Sequence, residues 1–469
     1  MTVSDRLSPL DVSFLYLEEA TTPMHVGSVS LFEIPAEGFD HERLVALIRE
    51  RIPLVPRFRQ RIRWVPGHLA NPVWADDETF DVTYHVRRSA LPRPGTDEQL
   101  RELVARVQSR RLDRDRPLWE MYLVEGLQDN RFAVITKTHH AMVDDLGAVD
   151  IGQVILDVTP EPRESPPDTW HPASDPSSLE LVTGAVIDNM RRPSAMIDTL
   201  RTGVSDVRTT ARRTVGAVAG ILALTRTAAR SAPHTPLNAP IGEQRRYGMA
   251  ATSLDDYKRI RKAHAPDAAI TVNDVVLAVV AGALRAWLLT RGEPVKPTSS
   301  VRAMVPVSIR SPDQAGALGN RISSFFVDLP IGEPNAVVRL HQVSYAMRAH
   351  KESGQAVGAD LIAGLAGFTP PTMHALGAQV GSSFSQRMFN TIVTNVPGPQ
   401  FPLYADGARM LATYPVVPLV RNQAVSIGLT SYDGGVYYGL NADRDAMADV
   451  DVLAHCIEDS LAELLDSVR

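Results

Sequence analysis

In the stretch ITKTHHAMVDD, two adjacent histidines, His139 and His140, are followed closely by two adjacent aspartates, Asp144 and Asp145. An imidazole titrates near pH ~6.5, so it can work as a general base at neutral pH or as a metal ligand. Neighbours on a strand point to opposite faces, so the pair cannot easily chelate one ion. The chain has no HExxH pattern and a single cysteine, Cys456, which excludes a cysteine zinc site and an internal disulfide. No metal is expected. The G-x-S-x-G, G-x-x-x-x-G-K-[ST] and G-x-G-x-x-G patterns are missing as well, which removes a serine-nucleophile elbow and the two glycine-rich phosphate loops. Two possibilities stay open. One histidine enters a cleft as a base while the other packs behind the strand, with an aspartate bracing the turn or pairing with an arginine; or both are structural.

The surrounding elements alternate in period. Residues 25–34 and the pair 118–127 and 131–140 read as strands, the latter two joined by a turn at Gln128-Asp129-Asn130. Residues 40–52 and 96–112 read as helices, the second with a Thr96/Gln99 capping box, and 147–158 as a further helix. In the C-terminal half, 271–292 is a strong helix with Thr271 and Asp274 at capping-box spacing and Gly292 as its stop. Residues 301–310, 322–330 and 388–399 read as strands, 424–443 as a hairpin turning at Asp433-Gly434-Gly435, and 447–468 as a closing helix. This mixture implies an α/β or α+β fold.

With 469 residues, two domains are the default. The composition is 44% hydrophobic and 22% charged, with a net charge of -6, which argues against nucleic acid as a main partner. The N-terminus lacks a secretion-signal pattern, and no run of ~18 apolar residues marks a spanning helix, so a cytoplasmic location is expected. Residues 159–178, rich in Pro, Ser and Asp, read as an exposed linker. Between Met190 and Arg230, eight arginines face two aspartates, a local charge of +6. Ile197, Leu200, Val204, Val207, Ala211, Val215, Val218 and Leu222 form one helical stripe there, with Arg201, Arg208 and Arg212 along its edge. Such a segment either packs its stripe on the protein or lies on an anionic membrane.

Several short motifs occur in a specific order: LSPLDVSFLYLEEATTPMHVG, RPLWE around Trp119, HHAMVD, PLNAPIG at 236–242, Asn273-Asp274, VPVSIR ending at Arg310, LGN at 318–320, and NVPGP beginning at Asn395. Together they resemble the bacterial wax ester synthase/diacylglycerol acyltransferase family, within the acyltransferases of the chloramphenicol acetyltransferase-like fold, and the mycobacterial triacylglycerol synthases in particular. The resemblance spans nearly the whole chain. It implies two chloramphenicol acetyltransferase-like domains with a tunnel between them: residues 1–175 carrying the histidine motif, 176–238 as an arginine-rich helical connection, and 239–469 as the second domain. It also implies transfer of a long-chain acyl group from acyl-CoA to diacylglycerol or a long-chain alcohol, with no cofactor, since acyl-CoA is a substrate.

On this resemblance His140 is the general base and His139 is structural. Asp144 orients the loop, with Arg310 as its expected partner. Asn273 and Asn395 are candidate oxyanion donors or structural residues, while Asp274 and Trp119 take supporting roles. Asp145 stands where the family has glycine, bringing bulk and negative charge toward an anionic donor. The alternatives are a condensation-type acyltransferase using a carrier protein and a weakly active lipid-binding relative. A glycerophosphate acyltransferase, which would use an H-x-x-x-x-D pair, lacks its FPEGTRS-type companion here. Contact with the inner membrane face or with lipid droplets is expected.

Overall fold

The computed structural model describes residues 6–143, 151–165, 167–191, 231–265, 270–309, 321–353, 357–358 and 388–468. Local signals set most element ends. Helix α1 (Pro9–Leu17) starts on a Ser8/Asp11 capping box with proline at its first position. Strand β1 (His25–Glu33) follows, then α2 (His41–Arg51), capped by Asp40. Strands β2 (Gln60–Arg63) and β3 (Val73–Asp76) pair with each other. A single turn, α3 (Val82–His85), leads into β4 (Val86–Ala90). Helix α4 (Asp97–Ser109) carries the expected Thr96/Gln99 box. Strands β5 (Trp119–Leu127) and β6 (Arg131–His139) form the expected hairpin, and its turn residues Asp129 and Asn130 adopt positive φ.

Residues 147–158 are not one helix in their described part. Helix α5 (Ile151–Val154) ends early, and Asp157 forms a β-bridge with Tyr404. The cause is burial: Asp157 is enclosed and accepts from Arg51 at 3.1 Å, which a continuing helix would prevent. The described residues of 159–177 carry no helix or strand, as a linker should, but ion pairs pin them. Arg59 grips Asp168 with both terminal nitrogens, and Arg61 meets Asp175 at 3.0 Å. Helix α6 (Ser178–Arg191) begins the expected connecting segment; residues 192–230, with the stripe and most of its arginines, lie outside the described residues.

The second half comprises β7 (Arg245–Ser253), α7 (Leu254–His264), α8 (Val272–Thr290), β8 (Val301–Ile309), β9 (Arg321–Leu329), α9 (Ala336–Ser353), β10 (Val357–Gly358), β11 (Thr391–Pro397), β12 (Tyr404–Ala405), β13 (Ala408–Val416), β14 (Val425–Tyr432), β15 (Gly435–Asp443) and α10 (Val450–Asp466). Helix α8 is long and apolar enough to cross a membrane, but 72% of its apolar window is buried inside the fold. It is the central core helix, packed on α9 and α10.

Two large sheets organise the molecule. One has the order β12-β13-β1-β6-β5-β4, the other β10-β9-β8-β11-β14-β15-β7. Strands β12 and β13 stand beyond residue 239 in sequence, yet they complete the first sheet, with β13 antiparallel to β1. An apolar cluster joins the two sheets through Val29, Leu31, Ile135 and Tyr414 of the first and Tyr247 of the second, together with Leu100 of α4. Tyr247 also donates from its hydroxyl to the Pro415 carbonyl at 2.8 Å.

Candidate active site

Strand β6 delivers the histidine pair. It stops at His139, and His140 opens a short 3₁₀ turn, His140–Met142. The two rings therefore part because the backbone turns between them, and simple strand alternation is not the cause. His139 is fully buried and its Nδ1 accepts from the Ala141 amide at 3.1 Å, which leaves the ring proton on Nε2. Burial pushes its pKa down to about 3, so the ring is neutral. His140 is half-buried. Its ring stacks on Phe14 with centroids 4.1 Å apart, and its amide donates to the Met24 carbonyl at 2.8 Å.

Behind the pair lies a buried polar cluster that the sequence reading did not single out. In the β1–β6 register His25 stands opposite His139. Glu18, the residue that ends α1, points between them: Oε1 lies 3.2 Å from His25 Nε2 and Oε2 lies 3.8 Å from His139 Nε2. Glu18 Oε1 also accepts from the Met24 amide at 3.4 Å, and Arg114 donates to Oε2 at 2.6 Å from a partly exposed position. Burial alone would raise the Glu18 carboxyl. The His25 hydrogen bond, the two imidazoles and Arg114 outweigh it and hold the group at about 2. Burial likewise lowers His25 to about 4.

These contacts form a socket. Met24 takes a hydrogen bond from His140 and gives one to Glu18, which is anchored in turn by Arg114 and His25. Phe14 and Glu18 are four residues apart at the end of α1, the spacing that puts two side chains on one helix side. Phe14 meets His140 while Glu18 meets His139. Two residues after His25, a Cβ on Gly27 would fall 2.0 Å from the Thr136 carbonyl oxygen, so only glycine permits this approach of β1 to β6. The helical i, i+4 spacing of Phe14 and Glu18 was visible in the sequence; the pairing of β1 with β6, which gives it meaning, was not.

The remaining candidates fall in other places. Asn273, in the first turn of α8, accepts from Asn395 Nδ2 of β11 at 3.1 Å, so the two proposed donors form one pair. Asp274 is buried and completes the Thr271 capping box, which makes it a helix cap. Trp119 is fully buried; its Nε1 donates to the Phe58 carbonyl at 2.8 Å and its ring stacks on His85 at 4.6 Å. It supports the sheet behind the histidines. Asp144, Asp145 and Arg310 lie outside the described residues. Among the described residues, no group of three or more His, Cys, Asp or Glu could hold a metal ion. Chemically, the site offers a half-buried imidazole braced by a carbonyl and an aromatic ring, above a neutral second imidazole.

Comparison with known proteins adds to this geometry. Residues 7–276 match the family described as wax ester synthase/diacylglycerol acyltransferase catalytic domain, and residues 318–465 match the WS/DGAT C-terminal domain. A probable diacylglycerol O-acyltransferase of Mycobacterium tuberculosis is 34% identical over 468 residues, covering 98% of this chain and 96% of the relative. A second one from that organism is 46% identical over 257 residues, covering 55% of this chain and 95% of the relative. The solved wax ester synthase/diacylglycerol acyltransferase of Marinobacter aquaeolei VT8 superposes with a TM-score of 0.69 at 29% identity, over 99% of both chains. The first condensation domain of the CDA synthetase shares the fold at 15% identity, with a TM-score of 0.55. The chain belongs to the wax ester synthase/diacylglycerol acyltransferase family and is one of its acyltransferases.

Proposed function

We propose that the protein transfers the acyl group of a long-chain acyl-CoA to the free hydroxyl of diacylglycerol, making triacylglycerol, with a long-chain alcohol as a further acceptor. The observation that carries the mechanism is the placement of His140: its ring is half-buried and its backbone is held by Met24, while His139 is sealed in the core. His140 takes the proton from the acceptor hydroxyl as the oxygen attacks the thioester carbonyl. The tetrahedral intermediate then collapses, and the departing CoA sulfur recovers the proton from the imidazolium. No acyl-enzyme is needed, in keeping with a sequence that lacks a serine-nucleophile elbow. The Asn273–Asn395 pair is a source of an oxyanion donor in this scheme. In this scheme Asp144 orients the loop, with Arg310 as its proposed partner.

The proposed organisation is a histidine-bearing domain (1–175), a helical connection (176–238) and a second domain (239–469), with the substrates meeting in a tunnel between the domains. In this proposal the protein sits on the inner membrane face or on lipid droplets, a reading supported by the +6 charge of residues 190–230 beside an apolar stripe in the sequence. Vesicle co-sedimentation tests this: a variant with Arg201, Arg208 and Arg212 changed to Gln should lose binding to anionic vesicles, and equal binding would refute it. The function is tested with purified protein, labelled palmitoyl-CoA, and dioleoylglycerol or hexadecanol as acceptor. Labelled triacylglycerol is expected. Absence of both neutral lipids, or transfer only from a carrier-protein thioester, would overturn the proposal.

A further inference from the structure

Strand β7, at the edge of the second sheet, opens with the buried residue Arg245. Its contacts extend beyond that sheet. The Arg245 amide donates to Ser109 Oγ, on the last residue of α4, at 3.1 Å. The guanidinium donates from Nη1 to the Gly242 carbonyl at 2.7 Å and to the Gln244 carbonyl at 3.1 Å, which fixes the side chain against its own backbone. Nη2 then donates to the Thr21 carbonyl, 224 residues away in sequence. Burial draws the group's pKa down to about 10, against the pull of Asp443, so it stays a cation at neutral pH and its bonds to carbonyls are charge-assisted.

The position of Thr21 gives this contact its meaning. Residues 18–24 join α1 to β1, and both ends of the segment touch the histidine pair. Glu18 lies against His25 and His139, and the Met24 carbonyl holds the His140 amide. Thr21 is three residues from each end. The turn between them is closed by its own bonds: the Thr22 amide donates to the Glu19 carbonyl at 3.1 Å, and the buried Thr22 Oγ1 accepts from the Glu19 amide at 3.2 Å. A turn closed in this way moves as one piece. Arg421 also reaches the segment from the second half of the chain, 3.9 Å from Glu19, but both of those side chains are about half exposed and such a pair is worth little. Of the two contacts, the one made by Arg245 is buried.

We propose that Arg245 is a positioning residue for acyl transfer: its guanidinium holds the 18–24 segment from the second sheet and so sets the place of His140. The proposal rests on the reading of His140 as the base. It makes both halves of the chain responsible for the geometry of a site whose histidines lie in one of them.

The test is steady-state kinetics on the full chain, with melting temperatures measured alongside. R245Q should lower kcat about tenfold and leave KM for palmitoyl-CoA unchanged, as expected when a reacting group is slightly displaced. R245K, which keeps the charge, should recover part of that loss. Tyr247, two residues further along β7, donates to the Pro415 carbonyl at 2.8 Å. Tyr247→Phe thus removes a buried bond between the same two sheets without touching residues 18–24, and it should lower the melting temperature while keeping wild-type kcat. Combining R245Q with Glu18→Gln should cost little more kcat than Glu18→Gln alone, because both act through one segment. Wild-type kcat in R245Q, a matching kcat loss in Tyr247→Phe, or losses that multiply in the double variant overturns the proposal. If R245Q does not fold, R245K and its combination with Glu18→Gln decide the matter by the same criteria. His140→Ala separates this proposal from the reading it rests on. Wild-type kcat in His140→Ala would remove the base assignment and the proposal together, whereas a loss there beside wild-type kcat in R245Q would keep the base and remove only the role of Arg245.

Discussion

Glu18→Gln keeps the shape of a buried side chain and removes its charge, which isolates what the carboxylate does for the histidine pair. In the wild type the carboxylate accepts from Arg114 at 2.6 Å and 3.0 Å, from the Met24 amide at 3.4 Å, and lies 3.2 Å from His25. Gln retains one acceptor oxygen but turns an NH₂ donor toward groups that are themselves donors. One buried charged hydrogen bond is worth ~1.5–3 kcal/mol. The Arg114 side chain is 36% exposed, so its share is discounted for screening. About 2 kcal/mol of stability should be lost, which the fold survives. The catalytic effect should be larger than this loss of stability suggests, because Met24 links Glu18 to the His140 backbone. A shift of about 1 Å in a reacting group costs ~10²-fold, so kcat should fall ~10- to 100-fold while KM for palmitoyl-CoA stays unchanged. Steady-state kinetics on the purified variant, with its melting temperature measured alongside, decide the matter. A variant that melts several degrees lower yet keeps wild-type kcat would refute the positioning argument and leave Glu18 a structural residue only.

His140→Ala should lower kcat by ~10²–10⁴-fold with the melting temperature retained, whereas His139→Ala, which empties a fully buried site, should act first on stability; the reverse pattern would exchange their roles. Acid should unfold the protein in a defined window. His25, His85 and His139 are neutral in the fold, with burial lowering them to about 4, 4 and 3, so the unfolded chain binds more protons below pH 6.5. Their contribution is complete above pH 6.5 and is lost as pH falls toward 4 and 3, each histidine costing up to ~1.4 kcal/mol per unit; Glu18, held at about 2, adds a loss below 4.5. Chemical denaturation at a series of pH values measures this, and a flat stability from pH 6.5 to 4.5 would contradict it. Asp145→Gly should lower KM for acyl-CoA, with a difference that shrinks in added salt if charge is the cause; unchanged kinetics would make the position neutral.

Features written in short-range chemistry were legible in the sequence. The Thr96/Gln99 and Thr271/Asp274 boxes need only residues three apart, and both cap helices as expected. The hairpin turn at Asp433-Gly434 needs positive φ at two positions, and both residues adopt it. The histidine motif was equally plain, and the ordered motif set pointed to the family over nearly the whole chain. The end of the helix after residue 154 was not legible, because it depends on Arg51, a residue 106 positions away from Asp157.

By itself, then, the sequence determined the helix starts and turns that near neighbours mark, and the family to which the chain belongs. Tertiary structure decided how those residues are used. Strand β13 closes the sheet that β1 belongs to, across more than 370 residues of chain. His25 comes opposite His139 only because β1 pairs with β6, and Glu18 acquires its two imidazole neighbours and Arg114 in the same step. Asn273 and Asn395, 122 residues apart, become a pair only when α8 packs beside β11. Caps and turns are stabilised by backbone geometry and hydrogen bonds among near neighbours, so short windows of sequence record them. Strand pairing and buried polar clusters depend on which surfaces meet after long loops close, and no short window records that.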